Sequence, residues 1–216
     1  KDVDYMNGVS TLDLVLIQRH ILGLAELDSE YKFISADVNG DMNIRANDLV
    51  DLRKLILGVT NDFPATSWKV VDASEAIAMS TPLQYSEVVY VDNFQVDVLD
   101  ADFVATKVGD VSGDALSSAR SIATENRSSR VVSLVVADQK VEAGQAVEVA
   151  ITGLNFNEVF GYQFTSNLNG LTLSGVRSGA IEMTDANLGL PSTDVMTASF
   201  AADKMVSVNA GEVLFT

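Results

Sequence analysis

The sequence predicts a mixed α + β chain of several domains, and three observations predict it. A loop followed by a helical pattern occurs twice near the start, at a fixed offset of 35 residues. Short alternating runs fill much of the segment 64–115, which predicts a β-rich extension. From Val131 onward apolar and polar residues alternate in short stretches, as in half-buried strands. We therefore expect paired loop–helix units, a short β segment, and an all-β sandwich that is incomplete because strand-like residues continue to Thr216.

The composition limits the classes of function. The 216 residues carry a net charge of −16 and include no cysteine. An acidic chain repels phosphate backbones, which argues against a nucleic-acid partner. Without cysteine there are no disulfides and no thiol chemistry. The longest apolar runs are too short to cross a bilayer, so no membrane span is expected.

The repeat aligns residues 2–23 with residues 37–58. Asp2 aligns with Asp37 and Asp13 with Asp48, and the apolar positions that follow also match. Agreement at so many positions indicates two copies of one structural unit, because internal repeats are the signature of a repeated supersecondary element.

The second copy has the spacing of a calcium loop. A 12-residue loop surrounds the ion with six to eight oxygen ligands, including a backbone carbonyl at position 7. Here oxygen-bearing side chains occupy positions 1, 3, 5 and 12, and the last of these is Asp rather than the usual Glu. The expected ligands are Asp37, Asn39, Asp41, the Asn43 carbonyl and Asp48.

Each loop leads into a helix. Leu14, Ile17 and Ile21 share one face, and an equivalent apolar face recurs over residues 49–56. Gly23 and Gly58 are expected to end these helices, since glycine readily adopts the left-handed conformation that follows a helix. Residues 29–35 predict a short connecting helix.

Two such units resemble a type I dockerin over residues 2–63. The resemblance implies two F-hands, each a calcium loop with one exiting helix, packed about a pseudo-two-fold axis. It implies two calcium ions, and a cohesin-like β-sandwich as the partner, bound in trans or in cis.

The first loop departs from the family pattern at position 5, where Met6 offers no side-chain oxygen. Asn7 could substitute there. The ligands that the resemblance implies for the first ion are Asp2, Asp4, the Gly8 carbonyl, Ser10 and Asp13.

The resemblance also implies the partner surface. In dockerins, recognition falls at loop positions 10 and 11 and at a pair of helix residues, which are basic in the family. The corresponding residues in this chain are Thr11, Leu12, Gln18, Arg19, Ala46, Asn47, Arg53 and Lys54.

The segment 64–115 predicts strands at 87–91, 93–99 and 103–108, with Trp68 as a packing anchor. Residues 110–114 repeat the opening of a calcium loop, but Ser121 stands where an acidic residue would close it. We therefore interpret 110–114 as an Asx-rich turn, with a third ion as the less favoured alternative.

Residues 116–130 are rich in Ser and Ala and predict an exposed linker before the sandwich domain, 131–216. This domain is similar to a cohesin-like or carbohydrate-binding-module-like sandwich of the immunoglobulin-like kind, on residues 141–147, 161–164 and 211–215. The predicted strands are 131–137, 145–152, 159–168, 171–177, 195–201, 205–208 and 212–216.

No catalytic constellation is apparent, so no enzymatic activity is expected. His20 is the only histidine and is expected at a surface or interface. The leading hypothesis is a calcium-dependent protein–protein assembly module of a secreted or cell-surface polypeptide. The alternatives are a calcium-rigidified joint within an adhesin or surface fibre, and carbohydrate binding by the sandwich.

Overall fold

The computed structural model describes residues 4–90, 97, 101–116 and 131–216. The fold is mixed α + β and mostly β, with three α-helices and several antiparallel sheets in this part of the chain. The chain divides into two compact units, residues 1–117 and 118–216. None of the described helices is long and apolar enough to span a membrane.

The first predicted helix is present as α1, Thr11–Ile21. It begins with a capping box, in which the Leu12 amide donates to Ser10 Oγ and the Ser10 amide donates to the Asp13 carboxylate. It ends just before Gly23, whose φ of 66° lies in the left-handed region. The predicted apolar face is buried at Leu14 and Ile17.

The other two predicted helices are also present. Helix α2, Glu30–Ala36, starts after Ser29, whose hydroxyl accepts from the Tyr31 amide. Helix α3, Ala46–Ile56, is the repeat of α1. It packs against α1, burying Leu52 and Leu55.

A two-stranded antiparallel sheet completes the first unit. Strand β1, Trp68–Asp72, pairs with β2, Phe103–Lys107, so that Trp68 lies opposite Lys107. The prediction for β2 is confirmed, whereas β1 was not predicted. Residues 87–90 form no strand, so the strand predicted at 87–91 is wrong over these residues, and most of 93–99 lies outside the described residues.

The β segment packs directly on the helical segment. The buried hydroxyls of Ser35 in α2 and Thr106 in β2 share a hydrogen bond of 2.5 Å. The Gly109 amide donates to the Ser35 carbonyl at 2.8 Å. The loops, helices and β segment therefore form one compact unit rather than a helical module with an appendage.

The second unit contains two three-stranded antiparallel sheets. In one, β4 (Ile151–Leu154) lies between β3 (Ser133–Val136) and β8 (Val213–Phe215). In the other, β7 (Val195–Val206) lies between β5 (Val159–Asn167) and β6 (Leu188–Ser192). Both sheets contribute to one apolar core.

That core is centred on large apolar side chains. Phe156 and Leu214 are fully buried, and Phe200 and Phe215 are also buried. The Tyr162 ring stacks on Phe200 and meets Phe156 edge to face. These rings pack inward and do not form an exposed row.

The strands of this unit match the predictions in part. Strand β7 covers the segment predicted at 195–201 and ends at Val206, within the segment predicted at 205–208, and β6 was not predicted. The strand predicted at 171–177 is wrong, because this segment pairs with the chain terminus only at its end, through Arg177 and Thr216. The alternating residues before Arg177 have no neighbouring strand among the described residues.

Candidate metal centres

The loop 37–48 is organised around its first residue. The Asp37 carboxylate is buried and accepts hydrogen bonds from the amides of Gly40, Asp41 and Met42 at 2.9–3.0 Å. Gly40 and Met42 both have positive φ, 76° and 63°. The chain therefore turns tightly around one carboxylate, in the geometry of an Asx-type turn.

The last residue of the loop closes it. Asp48 is 0% exposed. Its Oδ1 accepts from the amides of Val38 and Asn39 at 3.0 and 3.2 Å, and its Oδ2 accepts from the Arg45 amide at 2.8 Å. One carboxylate thus joins the beginning of the loop to the start of α3.

The remaining predicted ligands of this loop lie closer to solvent. The Asp41 amide donates to Asn39 Oδ1 at 2.9 Å, and the Asn43 amide donates to Asp41 Oδ1 at 2.9 Å. The Arg45 guanidinium donates to Asn43 Oδ1. The structure therefore brings oxygen-bearing side chains from all the predicted positions into one loop.

Burial sets the electrostatics of this loop. Desolvation raises the pKa of Asp37 and of Asp48 above the ordinary carboxyl value, although backbone N–H groups oppose the rise. The negative charge of Asp41 adds to the rise at Asp37, and that of Asp37 adds to the rise at Asp48. A bound cation would relieve this repulsion between neighbouring carboxylates.

The residue that closes the first loop, Asp13, bonds to a segment far along the chain, residues 111–112. Asp13, the counterpart of Asp48, is 0% exposed, and its Oδ2 accepts from the Ser10 amide at 2.8 Å. Its Oδ1 accepts from the amides of Val111 and Ser112 at 3.0 and 2.9 Å. Burial raises the pKa of Asp13 to about 6, and the nearby charge of Asp110 contributes.

Residues 110–115 form the turn that meets Asp13. The buried Asp110 carboxylate accepts from the amides of Gly113, Asp114 and Ala115 at 2.7, 3.3 and 2.7 Å. The prediction of an Asx-rich turn is confirmed, but its position against the first loop was not predicted. The available signal was the shared opening, Asp-Val-Ser-Gly-Asp here and Asp-Val-Asn-Gly-Asp at residues 37–41.

Of the two aspartates predicted as ligands at the start of the first loop, Asp4 lies among the described residues. Asp2 lies outside the described residues, and Asp4 is exposed, with its carbonyl accepting from the buried Lys107 Nζ at 2.8 Å. Met6 is exposed. The amide side chain of Asn7, the alternative donor, is paired with the backbone of Leu116.

The donor chemistry of both loops fits a hard cation. Carboxylate, amide and carbonyl oxygens are the ligands that calcium prefers. Both loops offer such oxygens, although Met6 in the first loop and Arg45 in the second contribute no side-chain oxygen. Among the described residues, no three acidic, histidine or cysteine side chains are gathered closely enough to hold a metal ion by themselves. The buried carboxylates turn toward backbone amides instead.

The predicted partner-binding residues differ in accessibility. Thr11 is buried, at 4% exposure, whereas Leu12 next to it is 45% exposed. Arg53 is half-buried, and its Nε is enclosed with no hydrogen-bond partner among the described residues. The others are exposed or half-buried, namely Gln18, Arg19, Ala46, Asn47 and Lys54.

His20 has contacts within the fold. Its ring meets Phe33 edge to face, with centroids 4.8 Å apart. Its Nδ1 accepts from the Leu27 amide at 3.4 Å. These contacts fix the connection between α1 and α2.

Comparisons with protein-family models, with curated proteins and with solved structures find no match to this chain.

Proposed function

We propose that the chain is a calcium-dependent protein–protein interaction module of a secreted or cell-surface polypeptide, without catalytic activity. In this proposal residues 2–63 act as a dockerin-like pair of F-hands. The partner is a cohesin-like β-sandwich. The observation that carries the proposal is the loop 37–48, in which buried Asp37 and Asp48 close an oxygen-rich loop at the start of α3.

Calcium would act through this loop on the helix that follows it. Asp37, Asn39, Asp41 and Asp48 would hold the ion together with the Asn43 carbonyl. Because Asp48 also occupies the first turn of α3, an ion at this site would tie the loop to the helix. A calcium ion that binds only the folded state stabilises it by an amount that grows with the logarithm of the calcium concentration above Kd, so the helix surface would be ordered wherever calcium is abundant.

The partner surface would lie at the starts of α1 and α3. Leu12 is exposed, as are Ala46 and Asn47, the residues at loop positions 10 and 11 of the second unit. An exposed leucine beside polar residues suits a protein interface with an apolar centre and a polar rim. Thr11 would contribute through packing beneath this surface rather than through direct contact.

The second candidate function is a calcium-rigidified joint. Two observations favour it: Arg53 is half-buried, and residues 103–116 pack on α2 and on the first loop. In that case the helices would pack within their own chain rather than bind a separate partner. Residues 131–216, which resemble a cohesin-like sandwich, would be a neighbouring structural domain. Sedimentation of the whole chain separates the candidates, since calcium-dependent self-association would favour binding in trans.

Calcium titration of the whole chain tests the proposal. Isothermal calorimetry and thermal unfolding would be compared in millimolar calcium and in excess chelator. We expect saturable binding and a rise in melting temperature of several degrees, since extracellular calcium modules bind with Kd values of about 10⁻⁴–10⁻³ M. Absence of both binding and stabilisation would contradict the proposal.

Paired variants assign the effect to the loop. Asp41→Asn removes a charged donor from an exposed loop position, and we expect it to weaken calcium binding at least tenfold at one site. Asp62→Asn makes the same charge change at an exposed position outside the loops. An equal loss in Asp62→Asn would indicate a general charge effect rather than a site.

A further inference from the structure

We propose that the first loop, residues 2–13, is closed by a later part of its own chain, residues 107–116, instead of by calcium. Calcium then controls only the second loop, residues 37–48. This inference rests on the proposed function, because it says which half of the partner surface the ion orders. The resemblance implies an ion in each loop, but the residues of the first loop do not fit one.

The donor set of the first loop lacks a side-chain oxygen at position 5. Met6 stands there and is exposed. The neighbouring Asn7 side chain is turned to another partner, since its Nδ2 donates to the Leu116 carbonyl at 2.8 Å and its Oδ1 accepts from the Leu116 amide at 3.0 Å. The second loop has the Asp41 carboxylate at this position. The first loop therefore offers fewer of the hard oxygen ligands that calcium requires.

A fixed positive charge also lies against the opening of the first loop. Lys107 is 3% exposed, and its Nζ donates to the Asp4 carbonyl at 2.8 Å and to Ser67 Oγ at 2.7 Å. The ammonium lies 5.5 Å from the ring centroids of Tyr5 and Trp68. A buried ammonium beside the loop backbone repels a divalent cation, because little solvent lies between the two charges to screen them.

Residues 111–116 hold the first loop closed through contacts between protein groups. Asp13 Oδ1 accepts from the amides of Val111 and Ser112 at 3.0 and 2.9 Å. A Cβ on Gly8 would lie 2.6 Å from Ala115, so the two segments are in direct contact. These contacts join Asp13, in the first turn of α1, to a segment that begins 98 positions further along the chain.

The second loop is closed by local contacts and keeps other oxygens near solvent. Asp48 Oδ1 accepts from the amides of Val38 and Asn39, which belong to the same loop. The Asp41 side chain is exposed. The basic residue of this loop, Arg45, is exposed as well, so solvent screens its charge. A calcium ion can therefore enter the second loop without meeting a buried positive charge.

Calcium would then act on one half of the partner surface. Leu12 lies beside Asp13 in α1, so chain contacts order it with or without calcium. Ala46 and Asn47 open α3, whose first turn contains Asp48. Removal of calcium should loosen only this second half, so partner binding should weaken without being lost.

Calorimetric calcium titration of the whole chain tests the inference. We expect one binding event, whose affinity Asp41→Asn lowers at least tenfold and Asp4→Asn leaves within twofold. Met6→Asp restores an oxygen at position 5 of the first loop. It should still give one event, because Lys107 and residues 111–116 are unchanged.

A second binding event in the wild-type chain or in Met6→Asp would overturn the inference and leave the proposed function standing. A single event that Asp4→Asn weakens, with Asp41→Asn unaffected, would also overturn it, since the ion would then occupy the first loop. No calcium binding by the wild-type chain would instead reject the proposed function, and the inference with it.

Hydrogen exchange gives a second readout, which follows local order rather than affinity. The amides of Asp13 and Asp48 occupy equivalent places, since each donates to the carbonyl three residues before it at the start of its helix. Calcium should slow exchange of the Asp48 amide at least tenfold. It should leave the Asp13 amide within twofold of its rate in excess chelator. Equal slowing of the two amides would contradict the inference.

A variant of the closing contact completes the test. Asn7→Ala removes both hydrogen bonds to Leu116, and we expect faster exchange of the Asp13 amide that calcium does not reverse. Asn61→Ala, the same change at an exposed residue outside the loops, is the control and should leave this rate unchanged. Recovery of the wild-type rate in Asn7→Ala on adding calcium would indicate an ion in the first loop and overturn the inference. An unchanged rate in Asn7→Ala would argue against closure by residues 107–116.

Discussion

At the scale of single residues, Gly109 links the turn at 110–115 to the helical core. Its φ of 89° lies in the left-handed region, and a Cβ there would lie 2.9 Å from the Phe63 ring and 3.1 Å from Val9 Cγ2. Both neighbours are buried. Glycine is therefore required at position 109 for two reasons, the left-handed backbone conformation and the lack of space for a Cβ atom.

Gly109→Ala should destabilise the first unit by about 2–5 kcal/mol, since left-handed backbone costs about 1–2 kcal/mol and overpacking about 1–3. Gly23→Ala is the matched control, because Gly23 has a φ of 66° but no atom within 4 Å of an added Cβ. Urea unfolding followed by Trp68 fluorescence measures both. Equal losses would show that crowding at Gly109 contributes nothing.

The candidate site could be predicted from the sequence only where its residues are neighbours along the chain. Asp37, Asn39, Asp41 and Asp48 follow the spacing of one loop, and the structure places them in one loop. Asp110 could not be joined to Asp13 in this way, because tertiary packing brings them together. Counted along the sequence, the closing position of a loop that opens at Asp110 falls on Ser121 instead.

At the scale of elements, local signals were sufficient for helices and insufficient for strands. The α-helices have apolar residues at helical spacing, and α1 and α3 also end before glycines. Strands β1 and β2 are both five residues long and pair across 31–39 residues of chain, yet only β2 was predicted. Residues 171–177 alternate correctly, yet a strand also requires a neighbour.

The contact between α2 and β2 depends on the buried hydroxyls of Ser35 and Thr106. Thr106→Val should destabilise the first unit by about 1–3 kcal/mol, because it leaves a buried hydroxyl without its partner. The double variant Ser35→Ala/Thr106→Val should recover part of this loss. A double-mutant cycle in urea would give a coupling of about 1 kcal/mol, and additive losses would argue against the bond.

At the scale of the whole molecule, each compact unit has its own core. The first unit buries the apolar faces of α1 and α3, while the second buries side chains from both of its sheets. The amino-acid composition indicated a folded chain. It could not indicate that strands β1 and β2 belong to the first unit, because this depends on long-range contacts such as the hydrogen bond between Gly109 and Ser35.

Leu214→Ala should destabilise the second unit by about 2–5 kcal/mol, because Leu214 is fully buried in its core. Leu190→Ala is the control, since Leu190 is 54% exposed and should cost less than about 0.5 kcal/mol. Hydrogen exchange of the β5 and β7 amides measures both. Similar losses at the two positions would contradict the assignment of Leu214 to this core.

The contact between Asp13 and Val111 also bears on the order in which the chain can assemble. Val38 and Asp48 are separated by 10 positions along the chain, but Asp13 and Val111 by 98. Chain-closure entropy grows with the logarithm of this separation, so the longer closure costs about 2 kcal/mol more. During synthesis the residues that complete the earlier loop emerge last, so the later loop has its full set of residues first.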